Sequence, residues 1–186
     1  MDLYLMDAIL KGKVPERGKV LDIGCGEGRN GIYFIQHGYE YVGVDQDASK
    51  VRILEYLTNS LPHSNASFLA EPMDKAFYGN EYDLILASRI LHFANSSREF
   101  RIIVEKIAAS LKPKGMLYLA MDSAIIESHV QKYEDGKYEF RDGRISFCLT
   151  EPIYKDLLAH FTELEEIKTV FYKNKRVQSF ALLQKT

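Results

Sequence analysis

The 186 residues carry a formal charge of −2, with 46% hydrophobic and 27% charged side chains, the composition of a globular domain large enough to build a core without disulfide or metal. No apolar run is long enough to cross a bilayer, and the balanced charge argues against a general nucleic-acid binder, which needs a basic face to displace phosphate counterions. Cys25 and Cys148 stand far apart in no C-x-x-C pair and read as free thiols, and Asp2 and Asp7 sit where a signal peptide needs positive charge, so the expected compartment is the cytoplasm.

Along the chain, Leu3, Tyr4, Met6, Ile9 and Leu10 describe an opening helix whose apolar residues serve first as a packing face and second as a cover for a ligand. "VLDI", "GYEYVGVD", "ASFLAE", "YDLILAS" and "GMLYLAM" are short apolar runs, each the pattern of a mostly buried strand. Between the first two, Ile32, Phe34 and Ile35 have helical spacing up to Gly38, the residue favoured past a helix end, which makes a βαβ unit. Asp47 is placed to cap a helix over "ASKVRILEYLTNS", and Ser96 with Glu99 forms a capping box ahead of "FRIIVEKIAASLK", closed by Pro113 and Gly115. Residues 71 to 82 interrupt this alternation, because Pro72 and Gly79 leave room for a turn or two of helix at most. Strand and helix otherwise alternate, the signature of an open parallel sheet.

After the fifth strand the pattern changes. "KYEF" and "RISFCL" alternate about Asp142-Gly143, a hairpin signal, and Thr150, Glu151 and Pro152 open a helix to about Phe161 in the order cap, acid, proline. "LEEIKTVFYK" and "RVQSFALLQK" then form a second hairpin across Asn174-Lys175. Without repeats or linkers, residues 1–186 read as a single domain.

From Lys19 to Asp47 two glycine patterns overlap: Gly26, Gly28 and Gly31 spell G-x-G-x-x-G, whereas Gly24, Gly26 and Gly28 spell a tighter G-x-G-x-G. A dinucleotide fingerprint starts where the strand ends, and here that point is Gly24. The G-x-G-x-x-G register also puts Gly31 inside the helix, where glycine costs up to ~1 kcal/mol against alanine. Asp45 lies about twenty residues beyond either first glycine, the spacing of a ribose-binding acid, so it predicts an adenosine ribose in both registers. Asp22, two residues before the loop, separates them: a carboxylate there repels a pyrophosphate and attracts a ligand with an ammonium and a sulfonium.

That ligand description fits S-adenosylmethionine, and "VLDIGCGEG" resembles motif I of class I S-adenosylmethionine-dependent methyltransferases. The resemblance continues through "VGVD", "YDLILASRILHF" and "LKPKGMLYLAM", and "GCGEGRNGIYF" with "SFCLTEPIYKDLLAHF" looks most like the small tellurite-resistance and thiopurine-like types. It implies a Rossmann-like three-layer α/β/α sandwich, its mostly parallel seven-stranded sheet ending in a C-terminal antiparallel hairpin. It also implies cofactor contacts at Asp22, Gly24, Cys25, Gly26 and Asp45, at an acid after the third strand, and at Ala87 and Ser88 where the fourth strand exits. Glu71 is the favoured third-strand acid and Asp74 the second choice; Cys25 acts as a small side chain rather than a nucleophile.

Methyl transfer from a sulfonium is an in-line displacement from an activated donor, so positioning and water exclusion matter more than a base. Where a base is needed, His92 after the fourth strand and Asp122 after the fifth are the candidates, weighed against a packed histidine and a loop acid. The chain lacks the [DN]-P-P-[YFW] loop that resembling enzymes use on amide or adenine nitrogen, and Phe147 rather than the proline of cytosine-C5 enzymes precedes Cys148; both omissions fit a small-molecule acceptor. Ser123 to Leu149, with Tyr133, Tyr138, Phe140, Arg141, Arg144 and Phe147, reads as a substrate lid or as a solvated hairpin. The rival readings are a non-catalytic S-adenosylmethionine-binding protein and, disfavoured by the glycine register and Asp22, an NAD-dependent oxidoreductase.

Overall fold

The computed structural model describes residues 1–61, 65–77, 79, 81–125, 130–172 and 176–186. Strands β1 (Lys19–Ile23), β2 (Glu40–Val44), β3 (Asn65–Leu69), β4 (Tyr82–Ser88) and β5 (Leu111–Asp122) run parallel in the order β3-β2-β1-β4-β5. Beyond β5, β11 (Val177–Lys185) is antiparallel, and β10 (Lys168–Phe171) lies outside it. Seven strands therefore follow the expected path. An eighth, β9 (Phe161–Glu163), pairs with the far end of β11; its three residues are too few to show a period.

The strand residues alternate between two cores, as the two-residue repeat of a strand requires. Leu21, Ile23, Ile85, Ala87, Leu117 and Leu119 meet α4 (Ser97–Ser110) and α5 (Glu151–Leu158) on one face. Val20, Leu84, Leu86, Tyr118 and Ala120 meet α1 (Leu3–Leu10), α2 (Gly31–Gln36) and α3 (Ala48–Thr58) on the other. The result is the three-layer sandwich. No helix among the described residues is long and apolar enough to cross a membrane.

Helix starts follow their caps. Asp47 accepts from the Ser49 and Lys50 amides, Ser96 from Glu99 and Thr150 from Ile153. Glu99 returns the contact to the Asn95 amide at 2.7 Å, one residue earlier than a capping box usually closes. Residues 71 to 82 hold one short 3-10 turn, Met73–Lys75. In α1 the packing face is Leu5 and Ala8, with Tyr4 and Ile9 partly buried, whereas Leu3, Met6 and Leu10 are exposed. The expected apolar face is thus rotated, because Asp2, the helix cap, is itself buried against Tyr118 and Asn30 and sets the helix orientation.

The segment after β5 builds a second, three-stranded antiparallel sheet from β6 (Val130–Glu134), β7 (Lys137–Phe140) and β8 (Ile145–Phe147). Its turns carry Gly136 and Gly143 at φ +70° and +80°, as the two Asp-Gly pairs require. The sheet is docked at three points: Asp135 accepts from the Ser97 amide and hydroxyl, Phe147 stacks on Phe100 at 5.1 Å, and Asp122 binds Arg144 and Ser146. These contacts pack the sheet against the domain. The expected Asn174-Lys175 turn lies outside the described residues.

Gly31 carries a packing constraint: a Cβ there would overlap the Tyr41 hydroxyl, although alanine is the better helix former by ~1 kcal/mol. Gly31→Ala is therefore expected to destabilise the fold, by roughly 1–3 kcal/mol from overpacking, read as a fall in the urea midpoint. A midpoint at or above that of the parent would show that Tyr41 has room to move.

Candidate functional site

In an open α/β sheet, ligands bind outside the carboxyl ends of the strands where the strand order reverses; here that point lies between β1 and β4. The loop leaving β1 holds Gly24, Gly26 and Gly28 at φ +72°, +54° and +85°, backbone that side-chain-bearing residues rarely adopt. The Gly24 and Cys25 amides both donate to the Val44 carbonyl, at 2.7 and 3.0 Å, and the Gly26 amide donates to Asp45 Oδ2 at 2.9 Å. A Cβ on Gly24 would press on Ile90 and one on Gly28 on Leu54, but at Gly26 it would meet nothing within 4 Å. The loop is packed on two sides and bare at Gly26. Gly31 is helical and serves Tyr41, so the tighter pattern is the one that shapes the loop.

Asp22 lies beneath this loop, 2% exposed, and its Oδ2 accepts from the Tyr41 hydroxyl at 2.9 Å. Burial pushes its pKa up to about 7, against the pull of the Tyr41 bond and the Arg29 charge. Asp45 stands half-buried at the end of β2, its Oδ1 taking the Asp47 amide at 2.9 Å. Each oxygen thus spends one lone pair on the loop and keeps another. Cys25 is buried and burial pushes its thiol well up, which leaves it unreactive.

The two third-strand acids separate. The Asp45 amide bonds the Leu69 carbonyl, so the half-buried Glu71 follows β3 at the same edge as Asp45. Asp74 is exposed, its carbonyl takes Lys106 Nζ at 2.8 Å, and it lines a groove with Lys106 and Ser110. The Ser110 carbonyl binds the Glu81 amide just before β4, at the amino ends of the strands, opposite to Asp45. Asp74 is therefore not brought together with the others.

Ala87 and Ser88 are buried at the end of β4, where Ser88 Oγ accepts from Arg29 Nη2 at 3.3 Å. Arg89 follows at φ +63°, a conformation that costs a non-glycine residue on the order of 1 kcal/mol and clusters at functional sites. Its amide donates to the Ala120 carbonyl at 2.6 Å, which joins the exits of β4 and β5. Arg29 escaped the sequence reading, because the contact that places it spans fifty-nine positions.

His92 sits in the 3-10 turn Leu91–Phe93, and burial lowers its pKa to about 4 despite the Asp122 charge. It is a neutral imidazole at pH 7. Asp122 has no exposed surface, and four side chains hold it: Arg144 Nη1 at 3.1 Å and Ser146 Oγ at 2.8 Å on one oxygen, Arg176 Nε at 3.1 Å and Gln178 Nε2 at 3.2 Å on the other. Burial raises its pKa, but His92, Ser146 and the two arginines outweigh that and hold it below the ordinary value. With its lone pairs committed and its charge stabilised, Asp122 is a clamp for the second sheet and β11 rather than the base its position suggested.

Comparison with known proteins agrees with this fold. A family model described as a methyltransferase domain matches residues 21–117, just over half the chain. A probable S-adenosyl-L-methionine-dependent methyltransferase, TehB of Haemophilus influenzae, is 30% identical over 97 residues, 52% of this chain and 34% of its own. A putative methyltransferase of Bacillus subtilis, YqeM, is 22% identical over 140 residues, 74% of this chain and 55% of its own. The chain thus spans about a third to a half of these relatives. Among solved structures, an S-adenosylmethionine-dependent methyltransferase of Methanosarcina mazei superposes with TM-score 0.74 at 23% identity, covering 100% and 99% of the two chains. The 1,6-didemethyltoxoflavin-N1-methyltransferase of Burkholderia thailandensis, with its substrate and S-adenosylhomocysteine bound, gives TM-score 0.74 at 22% identity over 97% and 76%. Both share the fold. With the matched span covering the Gly24–Gly28 loop, Asp45 and the end of β4, the chain belongs to the methyltransferase-domain family of class I S-adenosylmethionine-dependent proteins.

Proposed function

We propose that the protein transfers the methyl group of S-adenosylmethionine to a small-molecule acceptor at the exits of β4 and β5, in the cytoplasm. The observation that carries this reading is the bare backbone at Gly26, framed by two acids at different depths. Gly26 offers open space where a Cβ would stand, Asp45 keeps lone pairs for ribose hydroxyls, and Asp22 presents a buried carboxylate to an ammonium group. Glu71, the Cys25 backbone, Ala87 and Ser88 complete the rim, so the residues present fit the cofactor. Asp74 has no place in it.

Bound S-adenosylmethionine supplies a methyl already activated by its sulfonium. The protein then contributes position and exclusion of water. The three-stranded sheet, pinned at Ser97, Phe100 and Asp122, walls one side. His92 is neutral, so it accepts a hydrogen bond from an acceptor O–H or N–H and orients it, while its lowered basicity makes it a weak proton acceptor. The small-molecule acceptor is supported by the Burkholderia neighbour with its bound substrate and by the scale of the crevice described below.

Asp45→Ala is expected to weaken S-adenosylmethionine binding by roughly 1–3 kcal/mol, the range for charge-assisted hydrogen bonds, measured by calorimetry alongside release of S-adenosylhomocysteine. Full affinity in a folded variant would reject the ribose assignment, and binding without turnover on any small-molecule panel would favour a cofactor sensor.

Asp22 also predicts a pH dependence. Its ionised form attracts the ammonium, and below a free-protein pKa of about 7 binding must displace a proton, so affinity should fall by about tenfold per pH unit. The sign for stability is opposite: a folded pKa above the unfolded value means that the stability from the protonated acid is lost as pH rises through about 7. Asp22→Asn should therefore flatten the binding profile and stabilise the free protein relative to the parent at pH 8, the gain shrinking toward pH 5. A parent binding profile that is flat from pH 5.5 to 8 would contradict both.

A further inference from the structure

Among the described residues, four buried side-chain polar atoms have no hydrogen-bond partner: Arg89 Nε, His92 Nδ1, Arg144 Nη2 and Gln178 Oε1. All four belong to one place. Arg144 and Gln178 hold Asp122, His92 lies within the field of Asp122, Arg144 and Arg89, and the Arg89 amide is tied to Ala120 on the same strand as Asp122. Buried polar groups are nearly always satisfied, so orphans gathered at one site call for a partner. Three of the four are nitrogens, and two are on guanidinium groups.

Arg89, one of the four, also lines a cavity of about 200 Å3 that opens between the start of α1, the loop after β1 and the strands β10 and β11. Arg29 and Arg89 line it, together with Tyr4, Val170, Tyr172 and Phe180. Neither arginine forms an ion pair with a carboxylate among the described residues. Asp2 also lines the cavity, its Oδ1 accepting from both the Tyr4 amide and the Tyr118 hydroxyl at 3.1 and 2.6 Å. Two guanidinium groups and one carboxylate thus line an otherwise largely apolar chamber. An engineered cavity of ~150 Å3 holds benzene, so this one admits a single ring or a short aliphatic body.

The chamber adjoins the cofactor residues, since Arg29 bonds Ser88 at 3.3 Å. We propose, resting on the methyl-transfer reading, that the acceptor is a small organic carboxylate, its anionic group received by Arg89 with Arg29 and its apolar body packed against Tyr4, Tyr172 and Phe180. A carboxylate presents two oxygens that match the fork of a guanidinium. The excess of two arginines over one acid gives the chamber its selectivity for anions.

Calorimetry on the protein loaded with S-adenosylhomocysteine tests this with benzoate, salicylate and anthranilate against benzamide, salicylamide and anthranilamide, and with inorganic phosphate. The carboxylates are expected to bind about tenfold or more tightly than their amides, the scale of one charge-assisted pair, with phosphate weak. Arg89→Asn, chosen because asparagine tolerates the left-handed backbone, should abolish the preference while keeping affinity for S-adenosylhomocysteine. Arg89→Lys, which retains the charge, should restore part of it, and Arg29→Gln provides a second, conformationally unstrained variant. Equal binding of acids and amides, no binding of any carboxylate at millimolar concentration, or phosphate binding as well as the organic acids would overturn the proposal. So would loss of S-adenosylhomocysteine affinity in Arg89→Asn, which would assign that arginine to the cofactor's own carboxylate. Failure of the parent protein to bind S-adenosylhomocysteine at all would instead refute the methyl-transfer reading on which the proposal rests.

Discussion

The hydrogen bond from Tyr41 to Asp22, 2.9 Å long and buried, is the contact on which the rest of the site depends. It joins β1 to β2 beneath the glycine loop, and it exists only because Gly31 leaves room for the Tyr41 ring against α2. The bond stabilises a carboxylate that burial would otherwise neutralise, and the balance leaves Asp22 with a pKa of about 7. An acid at that balance is inexpensive to hold protonated in the free protein and becomes charged when a cation approaches. The third glycine of the apparent dinucleotide fingerprint therefore contributes to the site through packing against Tyr41.

A second buried acid does opposite work. Asp122 is surrounded by Arg144, Ser146, Arg176 and Gln178, so its charge is held and the second sheet and β11 are fastened to the end of β5. A buried ion pair of this kind contributes less net stability than its short distances suggest, but removing one partner strands the others. Its value here is positional. The clamp fixes the wall above the β4 and β5 exits and holds Arg144 beside His92 and Arg89, where an acceptor would have to stand.

Much of this was legible in the sequence because its causes are local. The five parallel strands are continuous apolar runs, and the helix starts at Asp47, Ser96 and Thr150 follow from caps within three residues. The glycine loop was readable from where "VLDI" stops, and the paired Asp-Gly turns from composition alone. Other features were hidden because their causes are distant. Asp122 and Arg176 meet across fifty-four positions, and Arg29 and Ser88 across fifty-nine. No spacing rule would separate Glu71 from Asp74, because the difference is that Glu71 follows β3 directly whereas Asp74 lies in the Met73–Lys75 turn, its carbonyl held by Lys106. The face of α1 was misread for a similar reason: Asp2, unremarkable in sequence, is buried by Tyr118 from the middle of the sheet.

Whether S-adenosylmethionine is held on the Gly24–Gly28 loop between Asp22 and Asp45 is read by following backbone amide resonances while S-adenosylhomocysteine is added. The amides of Gly24, Cys25 and Gly26 in the loop and of Asp45 and Asp47 at the end of β2 should shift most and saturate together, with Ser88 and Arg89 following and the groove at Lys106 and Ser110 unmoved. Saturable shifts centred on that groove, or no shift at the loop at millimolar ligand, would contradict that placement.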